Sequence, residues 1–335
     1  MNGRPGQAWR GVCIALAGAL GMLGAALLVL ALFPDVQRLH RYVALAAAFS
    51  PYGLVLWPPA AILLLVAARG RARLLALPLI AGLIGHLVVV MPYLPFAAAA
   101  RGGDGPNVTV LALNMRFGLA DLADLERVVV AERPDLVVLT EATAHDATAF
   151  EQPRWRALLP YRLGGTGRKW DPTTGAGDPS GTLILATVPI GTPPSDRGEG
   201  KFVAGTVDLG GRRITVVAGH PVNPTARVAE WQSDAEVLTR LARAHADAPL
   251  IVVGDLNATA EQVTLSDLRK ATGVTDTAAG WGWHPTFPAD QWFPPLVQID
   301  HVLVSREFRS IGFGTLRVAG TDHLGVVAHL AITGR

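Results

Sequence analysis

The first hundred residues constrain this chain most. Val12–Phe33, Tyr42–Ala68 and Leu74–Ala100 are three apolar stretches with little or no charge inside them. Each exceeds the roughly 20 residues that a helix needs to cross a hydrocarbon layer. A signal peptide would account for the first alone, and no small-residue cleavage site with a polar start follows it. Three such stretches separated by arginine-bearing loops are expected to be membrane spans rather than buried core helices. The middle one carries Pro51, Pro58 and Pro59. Proline removes a backbone donor and clashes with the preceding turn, so this span is read as kinked or re-entrant.

Orientation follows from the short loops. Arg4, Arg10, Arg69, Arg71 and Arg73 lie at one set of ends, and Arg38, Arg41 and Arg101 at the other. The excess places the N-terminus and second loop inside. With three spans, the remainder of the chain falls on the outer side; with two, it falls in the cytoplasm. The only cysteine, Cys13, lies in the first span, so no intramolecular disulfide and no cysteine metal site can form.

The domain organisation is thus read as a membrane region over 1–100, with spans near 12–33, 42–68 and 74–100. A Gly/Pro-rich linker follows over 101–106, and a globular domain occupies 107–335. Eight of the chain's 29 Lys+Arg and two of its 27 Asp+Glu precede Pro106, leaving 21 basic and 25 acidic residues beyond it, about −4. Only three lysines occur, at 169, 201 and 270. A protein that grips long nucleic acid needs a field of cationic side chains, because counterion release supplies much of its affinity. The balance disfavours long nucleic acid as the preferred partner.

In the globular part, short apolar runs alternate with helical patterns. Asn107–Asn114, Asp135–Glu141, Gly181–Thr187, Lys201–Asp208, Arg213–His220, Pro249–Asp255, Val297–Ser305, Ser310–Val318 and Leu324–Ile332 read as strands. Gly118–Arg133, Thr225–Ala246 and a segment around Val263–Lys270 carry helical spacing. Gly164–Gly181 is glycine-rich and reads as a long loop, with Arg168, Lys169 and Trp170 in its middle. It lacks the Gly-Lys-Ser/Thr ending of a phosphate-cradling loop. Trp281, Trp283, Phe287, Trp292 and Phe293 crowd one proline-rich segment, and several of them are expected to pack on the domain.

Chemistry-bearing residues sit at the strand ends. Asn114, Glu141, His220 and Asp255 each close an apolar strand, and Asn257 lies just beyond Asp255. Asp300 reads as an acid inside a strand, and Asp322-His323 opens the last one. One Asp and one Asn after a strand would be explained by an Asx-type turn. Several buried acids are not, because an unpaired buried carboxylate is costly. They imply one site assembled from many segments.

LNMR with Asn114, TEA with Glu141, GHPVNP with His220, GDLNA with Asp255 and Asn257, QIDHVLVS with Asp300, and TDHLGV with Asp322 and His323 occur in this order. The set resembles the endonuclease/exonuclease/phosphatase superfamily, from about Asn107 to Ile332, with the membrane region outside the match. The resemblance implies an α/β fold, a two-sheet β-sandwich flanked by helices and deoxyribonuclease I-like, preceded here by a bundle of about three transmembrane helices. It implies a Mg²⁺-dependent hydrolase of phosphate esters, with Mn²⁺ as a substitute ion. Glu141, Asn114 and Asp322 would hold the metal, since Mg²⁺ prefers hard oxygen ligands. Asp255 would orient or deprotonate water, Asn257 and His220 would contact the phosphate, and His323 paired with Asp300 would meet charge on the phosphoryl oxygens. Two departures are visible: Leu139-Thr140 stands before Glu141 where relatives often carry Gln, and His220 replaces the tyrosine contact of abasic-site endonucleases. The expected substrate is a phosphodiester or phosphomonoester, small or lipid-borne, with no partner protein implied. An extracytoplasmic nuclease acting on DNA and a catalytically silent membrane-tethered binding domain are the alternatives.

Overall fold

The computed structural model describes residues 5–95, 107–171, 173–174, 176–192, 200–225 and 227–333. The 101–106 linker and the end of the third apolar stretch lie outside the described residues. The chain divides into two compact units, 1–92 with 261–263, and 93–260 with 264–335.

In the first unit, α1 (Pro5–Leu32), α2 (Arg41–Ala47), α3 (Trp57–Ala67) and α4 (Ala76–Val90) are joined by 3-10 turns. Three helical segments, Ala8–Leu32, Ser50–Ala67 and Gly70–Tyr93, are long and apolar enough to cross a membrane. The middle stretch is broken, as its prolines require. Pro51 is the second residue of the 3-10 helix Ser50–Leu56, and Pro58 and Pro59 sit in the first turn of α3. Proline is tolerated there because the first-turn N–H groups have no intrahelical acceptor. The buried His86 is held at both ring nitrogens. The Trp57 indole donates to its Nδ1 at 2.8 Å, which leaves the proton on Nε2 to donate to the Ser50 carbonyl at 3.0 Å.

The second unit begins with β1 (Asn107–Asn114), α5 (Leu122–Glu132), β2 (Leu136–Thr140), α6 (Ala144–Ala149) and α7 (Pro153–Leu158). Then come β3 (Tyr161–Gly165), β4 (Arg168–Asp171), β5 (Ala176–Asp178), β6 (Thr182–Ala186), β7 (Ile190–Gly191), β8 (Phe202–Leu209) and β9 (Arg212–Gly219). It continues with α8 (Val228–Arg243), β10 (Leu250–Asp255), α9 (Val263–Thr272), β11 (Thr275–Asp276), β12 (Asp300–Val304), β13 (Phe308–Leu316) and β14 (Gly325–Ile332). Two six-stranded sheets run β13-β14-β1-β2-β6-β3 and β11-β12-β10-β9-β8-β7. Val110, Val138, Ile184, Val216, Ile251, Val302 and Val326 belong to one buried cluster between the sheets. Each such side chain contributes about 1.5–3 kcal/mol on full burial. The opposite face of the first sheet is covered by α5 and α7 through Leu125, Val129 and Trp155. This is the expected two-sheet sandwich flanked by helices.

Two local readings change. The glycine-rich stretch 164–181 contains β4 and β5, which pair antiparallel as a hairpin. Asp300 is the first residue of β12 rather than an interior one. Register then does the rest. β1 runs parallel to β2, and β9 parallel to β10, while β12 and β14 run antiparallel to their neighbours. The C-terminal ends of the first four and the N-terminal ends of the last two therefore carry the polar residues, with Asp255 directly opposite Asp300.

Candidate active site

Asp255 closes β10 and is the centre of the cluster. Gly254 precedes it with φ 141°, where a Cβ would lie 2.3 Å from the Gly219 carbonyl oxygen. Glycine is required there so that β9 and β10 can deliver His220 and Asp255 side by side. Asp255 Oδ1 accepts the Asn257 backbone N–H at 2.9 Å, and Oδ2 accepts the Asn114 amide at 2.9 Å. Oδ2 also lies 3.4 Å from His220 Nε2 and 3.7 Å from His323 Nε2. Burial alone would raise this carboxyl; the His323 and His220 charges and the Asn114 bond outweigh it and hold it at about 2.

His323 Nδ1 sits 2.8 Å from Asp300 Oδ2, and its ring packs on Phe287 with centroids 4.8 Å apart. Burial disfavours its charged form, but Asp300 and Asp255 overcome that and push it up to about 10. Burial pushes the Asp300 carboxyl up, with His323 pulling it back. His220 donates from Nδ1 to the Pro179 carbonyl at 3.1 Å, which orients Nε2 toward the acids. Burial acts against its protonation, yet Asp255 and Glu141 raise it overall.

Glu141 follows β2 in a left-handed conformation, φ 54°. Its Oε2 accepts the Phe117 N–H at 2.9 Å, while Oε1 accepts the Asn114 amide at 3.1 Å and lies 3.7 Å from His220 Nε2. Burial raises this carboxyl, and His220 and Asn114 only partly offset it.

The residues expected from sequence are placed as follows. Asn114, Glu141, His220, Asp255, Asp300 and His323 form one hydrogen-bonded and electrostatic cluster. Asn114 does not offer oxygen to that cluster. Its Oδ1 accepts the Arg116 N–H at 2.8 Å, and its amide nitrogen spans Glu141 and Asp255. Asp322 pairs with Arg116, Oδ2 to Nε at 3.6 Å. Asn257, in a left-handed conformation at φ 46°, uses one amide N–H on the Pro221 carbonyl at 2.9 Å and keeps a second. Sequence reasoning passed over Arg116, which also reaches Asp290 at 3.0 Å. Its signal was available as the last letter of LNMR. His301 is structural, clamped between Asp276 at 2.7 Å and the Ala258 carbonyl at 2.8 Å.

The donor set suits a hard cation. Three carboxylates, Glu141, Asp255 and Asp300, face two histidines, so with all three acids ionised the cluster is anionic even when both rings are protonated. Asp300 Oδ1 is buried with no hydrogen-bond partner among the described residues. Glu141 is the acid farthest from a cationic partner and the most open, 12% exposed against 2% for Asp255 and 0% for Asp300. These features suit Glu141 to a cation, should one bind. Asp255, Asp300 and His323 also bring ligand atoms within 4.8 Å of one another. His323 Nδ1 already faces Asp300 Oδ2 at 2.8 Å, so the ring could bring only Nε2 to an ion held there.

A model of the Endonuclease/Exonuclease/phosphatase family matches residues 111–323. Among solved structures, an endonuclease/exonuclease/phosphatase from Beutenbergia cavernae is similar at 22% identity, over 68% of this chain and 72% of that one, with a TM-score of 0.53. The human Nocturnin catalytic domain with bound sulfate is similar at 17% identity, over 69% of this chain and 97% of that one, with a TM-score of 0.52. These two likenesses show the fold. No curated protein sequence matches.

Proposed function

The chain belongs to the endonuclease/exonuclease/phosphatase family, and from that premise we propose that it is a membrane-anchored, metal-dependent phosphoesterase. The observation that carries the reading is the buried cluster itself, a carboxylate held near pH 2 between two histidines drawn toward their charged forms. Such opposed charges serve a reaction in which water attacks and negative charge grows on phosphoryl oxygens.

Glu141 would hold Mg²⁺ or Mn²⁺, which supplies charge neutralisation on the phosphoryl oxygens. Asp255 is ionised but too acidic to be a strong base, so its part is to accept a hydrogen bond from the attacking water and aim it. His323 donates from Nε2 toward the phosphoryl oxygens, with Asp300 fixing its tautomer through Nδ1. His220 Nε2 and the second Asn257 N–H are donors for the same oxygens. Asn114 binds no substrate in this scheme; it holds Glu141 and Asp255 apart at a set spacing.

The substrate is proposed to be a small or lipid-borne phosphate ester, with the catalytic unit on the outer face of a bacterial-type plasma membrane. The acidic balance beyond residue 106 and the three apolar helices support this reading over a DNA nuclease. The test uses the full chain in lipid, with and without chelator, on bis-p-nitrophenyl phosphate, sphingomyelin, phosphoinositides, lipid-linked pyrophosphates and plasmid DNA. Chelator should abolish turnover, and unimpaired turnover in chelator would remove the metal. Plasmid nicking with no turnover of any ester would return the protein to the nucleases.

A further inference from the structure

Arg116, Phe117 and Gly118 form three consecutive left-handed residues, with φ 48°, 52° and 71°. Left-handed backbone is disfavoured for the two residues that carry a Cβ, so something must hold the turn. Four contacts do. The Arg116 N–H bonds Asn114 Oδ1 at 2.8 Å, and the Phe117 N–H bonds Glu141 Oε2 at 2.9 Å. Gly118 lies so near Thr143 and Asp146 that a Cβ would meet their oxygens at 2.7 Å. The Arg116 guanidinium, 35% exposed, is gripped between Asp290 at 3.0 Å and Asp322 at 3.6 Å. The segments that carry those two acids are joined beside them by the Ala289 N–H, which bonds the Asp322 backbone carbonyl at 2.6 Å. The guanidinium therefore joins the turn after β1 to the segments that carry Phe287 and His323.

We propose that Arg116 is a positioning residue for Glu141: by locking the left-handed turn between Asp290 and Asp322, it fixes the Phe117 N–H on one Glu141 oxygen and leaves the other facing the cluster. The inference rests on Glu141 as the metal-holding residue. It assigns Arg116 no contact with substrate. Its arginine fork matters, because lysine offers a point charge and cannot serve two carboxylates in one plane.

The experiment measures Mn²⁺ binding by electron paramagnetic resonance on the detergent-solubilised full chain, alongside thermal unfolding and the rate on bis-p-nitrophenyl phosphate. Arg116→Ala should loosen Mn²⁺ by about tenfold, the usual scale for a group that orients a ligand, and lower kcat with KM nearly unchanged. Arg116→Lys should fall between the two. Glu141→Gln should abolish strong binding, and adding Arg116→Ala to it should change nothing further, because both act through one carboxylate. Asp290→Asn, which keeps the arginine, should loosen Mn²⁺ by a smaller factor and provides the reading if Arg116→Ala does not fold. Mn²⁺ affinity unchanged in Arg116→Ala, or in Asp290→Asn where the former is unfolded, overturns the role of Arg116 while leaving Glu141 its own. Wild-type protein that binds no Mn²⁺ removes the metal reading, and this proposal with it.

Discussion

Asp255 and His323 lie 3.7 Å apart with their side chains almost wholly buried, so each is sensitive to loss of the other. Asp255→Asn and His323→Ala should each reduce turnover at least about 10²-fold, the scale of acid-base or oxyanion groups, with the fold retained. Wild-type rates in either variant would strike that residue from the mechanism. The same pair sets a pH dependence of stability. His323 has a folded value of about 10, above its ordinary 6.5, so its stabilising charge is fully present below about 6.5 and is lost as pH rises through 10. Asp255, held at about 2 against 3.8, contributes above its ordinary value and is lost only as pH falls through 2. In chelator, the unfolding midpoint of the full chain should therefore fall between pH 6.5 and 10, and fall less in His323→Ala. Equal slopes for the two proteins would show that the His323 charge does not stabilise the fold.

The elements that carry these residues owe their ends to local chemistry. Asp121 caps α5, its carboxylate accepting the Ala123 and Asp124 N–H groups at 2.8 and 3.0 Å, and Arg133 ends it in a left-handed turn. Asp121→Ala should cost about 1 kcal/mol, visible as a Tm lowered by about 2–4 °C in thermal unfolding, without loss of activity. An unchanged Tm would mean that water replaces the cap. The helix itself was legible from its apolar spacing, but that spacing is read from Gly118, whereas the structure begins the helix at Leu122 after the Asp121 cap. The β4–β5 hairpin was not legible. Its strands are four and three residues long, too short for alternation to emerge, and glycines flank them. Their pairing is visible only once antiparallel register is formed. The place of Asp300 at the start of β12 has a similar origin: the Thr286 hydroxyl takes the Ile299 and Asp300 N–H groups from outside the ladder.

At the scale of the whole molecule, the proposed sidedness has a direct measurement. Five arginines at the proposed inner ends against three at the outer favour an outer catalytic unit. An alkaline-phosphatase fusion after Arg335 should be active and a green-fluorescent fusion dark; the reverse would place the unit in the cytoplasm and leave two spans. The sequence by itself determined the three apolar segments, the strand-and-helix alternation, and the residue types Asn, Glu, His, Asp and His that close or open the strands. Those follow from hydrophobic periodicity and from the cost of burying an unpaired charge, both written locally in the chain. Tertiary structure alone decided how these groups face one another. Asn114 turns its nitrogen rather than its oxygen to the acids, because the Arg116 N–H claims the oxygen. Asp322 faces a guanidinium, although its neighbour His323 faces Asp300. A side chain's partner is set by which strands lie beside it and by which backbone donors compete for it, and neither is a property of its position along the chain.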